Sequence, residues 1–540
     1  MAKAQKNRAS KTPYVSPNQL SLVGFESPFT KHLNPSNRWV TLSKQIPWDT
    51  IANVYRKQLN NETTGAGGIN PRVAIGAVFI KHLCDLSDKE TILQIQENIY
   101  MQYFIGFSSY SDEPVFDSSL FVDLRKRLGV QQLNEINERI MGILDANKDS
   151  GIDTHNKSED TQPKQENESK ESIASGDSLE NGEQDASMNK ATITTTTVEP
   201  LPNKGELLVD ATACPQDIKF PTDLNLLNDA REKSEELIDV LYAKVNTWDE
   251  KDKPRTYRQI ARKEYLKVAQ KKHKTRKQIR KAIRKQLAYL NRNIKIIYRL
   301  LTHFKQIPYN KKDYKYLLVI QTLYDQQKMM YDSKTHTVEH RIVSIHQPHV
   351  RPIVRGKTNA YVEFGAKIQV SIMNGITFLE DLSWEAFNEG TRLMSTIENY
   401  KRRFGYYPQK VMADKIYCNR ENRAKLKQLG IELRAKPLGR PKLAVDNHVR
   451  PGERNPIEGK FGQAKTTYGM GRIKARLQQT SESWIASIVL VLNLVNLIGR
   501  ASLCLLLMFR QNRVTFIKWL VSLHQIQTRS QKKIGWLTAT

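Results

Sequence analysis

A chain of 540 residues has room for roughly three or four structural units with a sizeable core, and 39% hydrophobic with 26% charged residues excludes a fibrous or wholly disordered protein. Lys and Arg outnumber Asp and Glu 84 to 56, and the net charge of +28 favours a polyanionic partner, nucleic acid ahead of a membrane surface. Four cysteines, Cys84, Cys214, Cys418 and Cys504, lack CxxC spacing, which excludes a disulfide framework and a zinc module. The basic start "MAKAQKNRAS" is not followed by an apolar run of leader length, so secretion is not expected.

The first predicted elements are helices within 36–130. "WDTIANVYRKQL" follows Pro47, and "PRVAIGAVFIKHLCDLS" opens on Pro71. "DKETILQIQENIYMQYFIGF" carries apolar residues at helical spacing, and "DSSLFVDLRKRLG" is expected to stop at Gly129. Residues 1–146 are therefore expected to form a helical N-terminal domain, with basic polar faces suited to DNA. Residues 147–203 are dominated by Ser, Asp, Glu, Asn, Lys, Gln and Thr. Too few apolar groups are present to offset ordering entropy, so this stretch reads as a disordered acidic and polar linker.

Order resumes over 204–250, the first part of a predicted catalytic core. Leu207, Leu208 and Val209 suit a strand buried on both faces and ending at Asp210, and Thr222 is placed to cap a following helix. Residues 251–334 are the most basic part of the chain. Ile279, Ile283, Leu287, Leu290, Ile294, Ile297, Leu301 and Phe304 form one helical apolar seam, which "YKYLLVIQTLYDQQKMMY" can fold back to cover. The result is an inserted basic helical hairpin, whose one-sided charge suits a surface tracking phosphates.

Residues 335–510 supply the second part of the core. "HRIVSIH" and "VEFGAKIQVSIMNGITFLEDLSW" read as strands, with Asn374 and Gly375 as a hairpin turn. A helix over about 385–403, strand "KVMAD", helix "RENRAKLKQLG" and strand "IELRAK" follow. "WIASIVLVLNLVNLIGRASLCLLLMF" is broken by Arg500 and carries Asn493 and Asn496, so it reads as a buried helix of a soluble core rather than a span. Residues 511–540 form a basic tail. With the hairpin set aside, this order fits an α/β protein with a ribonuclease-H-like catalytic core, a mixed sheet flanked by helices.

Three acids stand out. Asp210 and Asp414 are expected at strand ends, and Glu458 lies in "RNPIEGKFGQAK" with Arg454 four residues before it and Lys465 seven after, on approximately one helix face. Alone, that stretch reads first as a solvated helix with paired charges. Together, the three carboxylates could hold two hard divalent cations roughly 3.5–4 Å apart, the arrangement of phosphodiester chemistry. Asp446 and Glu453 compete as third ligand, and Asp217 and Asp223 are explained by a turn and a helix start.

The segments "LLVDAT", "PTDLNLLNDARE", "HVRPIVRGK", "EFGAK", "MADKIYCNRENR" and "RNPIEGKFGQAK" make the chain resemble the DDE transposases of bacterial insertion sequences, of the IS-four and IS-five type. Arg454, Glu458 and Lys465 match the family's Arg, Glu, Lys spacing; its tyrosine position holds Pro451. The resemblance implies that Asp210, Asp414 and Glu458 are catalytic and bind two Mg²⁺ or Mn²⁺ ions. It implies DNA contacts from Arg454 and Lys465, and from Arg351, Arg355 and Lys357 beside His349. It further implies transposon ends and target DNA as partners, a homodimer on paired ends, no membrane association, and a nucleoid-associated place in a bacterial cytoplasm. The other readings are an inactive or co-opted DNA-binding protein and a structural RNA-binding protein built on the basic hairpin.

Overall fold

A computed structural model describes residues 33–58, 68–142, 202–245, 253–354, 362–435 and 452–499. The linker expected over 147–203, apart from its last two residues, and the tail over 511–540 lie outside the described residues.

The N-terminal region folds as α1 (Arg38–Gln45), α2 (Trp48–Arg56), α3 (Pro71–Leu83), α4 (Asp88–Glu97), α5 (Ile99–Phe104), α6 (Leu120–Arg127) and α7 (Val130–Ile140). The helix expected to run on from Asp88 is divided because Asn98 leaves helical geometry and caps α5, accepting from the Tyr100 and Met101 amides. Gly129, expected as a stop, also starts α7. Trp39, Trp48, Phe79, Phe104 and Phe121 form the apolar centre, which continues without a break into Ile368, Val370 and Leu379 of the sheet. Several cations of this bundle are internal. Arg72 lies 4.8 Å over the Trp48 ring and donates to Ser43 Oγ at 2.7 Å, while Lys81 and Arg125 pair with Asp88 at 3.0 and 2.8 Å.

The basic insertion is larger than a hairpin. Helices α8 (Asp223–Tyr242), α9 (Arg258–Ala269), α10 (Arg276–Leu301) and α11 (Lys311–Ser333) pack together. Thr222 caps α8 as expected, accepting from the Asn225 amide at 3.2 Å. The seam lies where its spacing puts it: Leu287, Leu290, Ile294 and Ile297 are buried, covered by Leu317, Ile320 and Leu323 of α11. Leu227, Ala230, Leu237 and Ile238 of α8 share that core. Thus α8, assigned from sequence to the catalytic core, is a wall of the inserted bundle.

The sheet contains β1 (Glu206–Pro215), β2 (Arg351–Val354), β3 (Val362–Met373), β4 (Ile376–Ser383), β5 (Lys410–Met412) and β6 (Glu432–Arg434). Long β3 pairs antiparallel with β1 along one edge and with β4 and short β2 along the other; β1, β5 and β6 are parallel. Asn374 and Gly375 turn the β3–β4 hairpin with φ of +49° and +78°, as their Asn-Gly pairing predicts. Two expectations fail. "HRIVSIH" is irregular: Ile342 and Ile345 are buried in the inserted bundle and Val343 in the other core, so its side chains are divided between two cores rather than two faces of a sheet. The strand is instead β2. The helix expected over 385–403 begins later, with a 3-10 turn at Glu389–Arg392 leading into α12 (Leu393–Phe404).

Alternation along β1 divides the two sides of the sheet. Leu207 and Val209 join Leu393, Ile397 and Tyr400 of α12, whereas Leu208 packs with Ile372, Met412 and Ile457. Ile457 belongs to α14 (Asn455–Thr466), which follows α13 (Arg420–Gln428) and β6.

The apolar helix α15 (Gln478–Gly499) is long and apolar enough to cross a membrane by composition, and Ile485, Ile488 and Leu494 are fully buried against the bundle and sheet. Its two asparagines are clips. Asn493 accepts from the Thr377 amide at 2.8 Å and donates to the Thr377 carbonyl at 2.7 Å and to Asn137 Oδ1 at 2.8 Å. It thereby pairs both backbone groups of Thr377 on the outer edge of β4. Asn496 donates to the Gly375 carbonyl at 2.9 Å. Asn493→Leu leaves the Thr377 amide and carbonyl buried without this partner, and the expected cost is about 1–3 kcal/mol, read by urea denaturation.

Candidate active site

Asp210 lies inside β1 rather than at its end, because Ala211, Ala213 and Cys214 are small, buried and still paired with β3. The strand that ends here is β5. Its parallel register sets Leu208 beside Met412, so the residues two further on, Asp210 and Asp414, emerge level with each other past the end of β5. In a sheet with parallel crossovers, this is where functional groups collect.

Arg454 joins the two acids. Its guanidinium lies 2.7 Å from Asp210 Oδ2 and 3.3 Å from Asp414 Oδ1. Each aspartate also accepts from the next backbone amide, Asp210 from Ala211 at 2.8 Å and Asp414 from Lys415 at 2.7 Å. The helix carrying Arg454 is seated by Ile457, 1% exposed, in the apolar pocket made by Leu208 and Met412. The same packing brings Glu458, the next residue, to the first turn of α14, where it is exposed. Burial raises the Asp210 carboxyl above the ordinary aspartate range, with repulsion from Glu389 and Asp414 adding to it; Arg454 and the Ala211 amide pull the other way.

The remaining candidates are dispersed. Lys465 is half-buried in the last turn of α14, two helical turns beyond Glu458. Arg351 pairs with Glu385 at 2.8 Å on β2, opposite Gly365, whereas Asp210 is opposite Val370. Arg355, Lys357, Asp446 and Pro451 lie outside the described residues. His349 sits edge-on to Trp384 at 4.4 Å; burial, with Lys315 and Arg351 nearby, holds its imidazole down at about 4. Asp217 pairs with Arg472 at 2.8 Å, Asp223 with Arg341 at 2.7 Å and Glu453 with Arg434 at 3.7 Å. Those pairings account for these three acids structurally.

Two residues that the sequence did not single out belong to this neighbourhood. Glu389, paired with Lys367 at 2.9 Å, acts electrostatically on Asp210, and Tyr417 is fully buried with its hydroxyl unpartnered among the described residues. Glu389 had no strand end or motif to mark it. Among the described residues, no three carboxylate, imidazole or thiol groups stand close enough together to enclose a metal ion. Asp210 and Asp414 do converge, and they converge on a cationic group.

Comparison with known proteins bears on this geometry. A family model described as "Transposase DDE domain" matches residues 411–495, and one described as "Transposase domain (DUF772)" matches residues 27–127. Two stretches of the chain are thus similar to transposase domains, one of them a DDE domain. The DDE-domain match includes Asp414, Arg454, Glu458 and Lys465, while Asp210 lies outside both matched ranges. An uncharacterized protein, ORF8 in the nfe locus of Rhizobium meliloti, is 33% identical over 108 residues, covering 19% of this chain and 49% of that protein. The chain therefore spans about half the length of that relative. No solved structure matches.

Proposed function

We propose that this chain is a DNA transposase of the IS-four and IS-five type, with a ribonuclease-H-like catalytic core, that cuts the terminal inverted repeats of its element and joins them to target DNA. The observation that carries this reading is the Arg454 guanidinium spanning Asp210 and Asp414 from the helix that bears Glu458. The sheet order β4-β3-β1-β5-β6, antiparallel then parallel, supports the core assignment.

The donor set suits Mg²⁺ or Mn²⁺: hard carboxylate oxygens from two acids already face one positive charge. Asp210, Asp414 and Glu458 would hold the ions. When bound, a metal pair supplies a polarised phosphate and an activated attacking oxygen. Arg454, relieved of the carboxylates, is placed to grip a phosphate beside them, and Lys465 extends the same helix surface. A homodimer on paired ends, acting in a bacterial cytoplasm, completes the proposal; α15 serves it as a core helix.

The test is a strand-cleavage and strand-transfer assay on duplexes carrying the inverted repeats that flank the gene. Divalent-dependent cleavage by the unaltered chain, abolished in Asp210→Asn, Asp414→Asn and Glu458→Gln, is the expected result. Cleavage persisting in these variants would remove the proposed mechanism. An inactive unaltered chain that still binds those ends would favour a DNA-binding protein without chemistry.

A further inference from the structure

We propose that the outer face of α10 is a docking surface for the sugar–phosphate backbone of duplex DNA, separate from the Asp210 site and indifferent to base sequence. The choice of duplex DNA rests on the transposase reading; the surface itself rests on charge and packing.

Helix α10 carries nine Lys and Arg and no Asp or Glu over 26 residues. Its apolar seam is buried in the inserted bundle, so the cations fall on the opposite side, where Lys277, Lys281, Arg284, Arg292 and Lys295 are exposed. None of these five forms an ion pair with a carboxylate among the described residues, whereas neighbouring Lys285 is paired with Glu264 at 2.7 Å. Arg292 is held 4.5 Å over the Tyr257 ring, which orders its guanidinium without neutralising it. A shallow, open depression of about 350 Å³ is lined by Ala288, Asn291, Arg292, Lys295, Ile296 and Arg299 of this same helix. Elsewhere the pattern is different: in the N-terminal bundle, Arg72, Lys81 and Arg125 are buried and partnered inside the fold.

A row of uncompensated charges recognises a polyanion through counterion release. From Lys277 to Lys295 the helix rises about 27 Å at 1.5 Å per residue. That spans most of the roughly 34–36 Å of one turn of duplex. Insertion into a lipid surface would need a free apolar face, and the apolar face of α10 is occupied by α8 and α11.

The experiment measures full-chain binding to two unrelated 30-base-pair DNA duplexes, at several salt concentrations, by fluorescence anisotropy. The altered chain is Lys277→Gln, Arg284→Gln, Lys295→Gln; the control is Lys328→Gln, Lys410→Gln, Lys425→Gln, three lysines already paired with carboxylates. The expected result is a loss of affinity of about tenfold or more, equal for both duplexes, with the slope of log K against log salt falling by about 3. The control is expected to change neither quantity appreciably. An equal loss in the control, or no loss in the α10 variant, overturns the proposal. So does stronger binding to an RNA duplex that is the more sensitive to the α10 changes. Failure here would leave the Asp210-dependent cleavage reading intact, because that assay reads chemistry rather than binding.

Discussion

Arg403→Ala is expected to destabilise the protein by about 3–5 kcal/mol, the cost of leaving buried charges without their partner. Arg403 is 4% exposed and lies 2.7 Å from Glu138 of α7 and 2.6 Å from Glu380 of β4, acids that are themselves 6% and 2% exposed. Arg402 adds a second contact to Glu138 at 2.8 Å. The cluster joins the N-terminal bundle to α12 and the hairpin strand, so its loss should loosen the contact between the two halves of the fold. Burial pushes the Glu138 carboxyl up, but Arg402 and Arg403 outweigh it and hold it below the ordinary glutamate range.

The sign of the pH dependence follows. A depressed carboxyl stabilises the folded state above its unfolded pKa of about 4.3. That contribution disappears as pH falls through the lower folded value. Urea denaturation at neutral pH should therefore show the full loss in Arg403→Ala, with the gap to the unaltered protein narrowing in acid. The triple change Arg403→Met, Glu138→Gln, Glu380→Gln removes the three buried charges together, leaving only the half-exposed Arg402, and should recover much of the stability. A single variant as stable as the unaltered chain would contradict this account of the cluster.

The second large effect belongs to Arg454. Arg454→Ala is expected to lower strand cleavage about 10²–10³-fold, the scale for removing one preorganised donor from a reacting phosphate or carbonyl. Arg454→Lys should not restore it, because an ammonium cannot reproduce the planar fork that would grip phosphate oxygens bidentately. Thermal unfolding separates this from a structural effect: Ile457, not Arg454, seats the helix, so the melting temperature should change little. Normal cleavage by Arg454→Ala would show that the guanidinium contacts nothing that reacts.

Much of this arrangement was legible before any coordinates. The α10 seam, the Thr222 cap and the Asn374–Gly375 turn follow from local rules: a 3.6-residue period, a side-chain acceptor and a positive φ. Failures came where distant packing decides. "HRIVSIH" has strand-like residues but lies between two cores, and α8 looks like a core helix until Leu227 and Ile238 are seen against α10. Nothing local distinguishes Asp210 inside a strand from an acid at its end, because the strand that stops is β5, separated from β1 in the chain by the inserted helices, by β2, β3 and β4 and by α12. The ion bridge from Arg454 was likewise hidden: the Arg and Glu spacing suggested one helix face, not that the guanidinium would lie between two aspartates. Glu389 was missed for the same reason, since its relevance comes only from proximity.

The most direct measurement of the central claim is a change of ligand at Asp210. A thiolate is a soft ligand that binds Mn²⁺ far better than Mg²⁺. If Asp210 holds the catalytic metal, Asp210→Cys should cleave inverted-repeat DNA with Mn²⁺ while losing Mg²⁺-supported cleavage. Mg²⁺-supported cleavage by Asp210→Cys at the rate of the unaltered chain would contradict the assignment of Asp210 as a metal ligand.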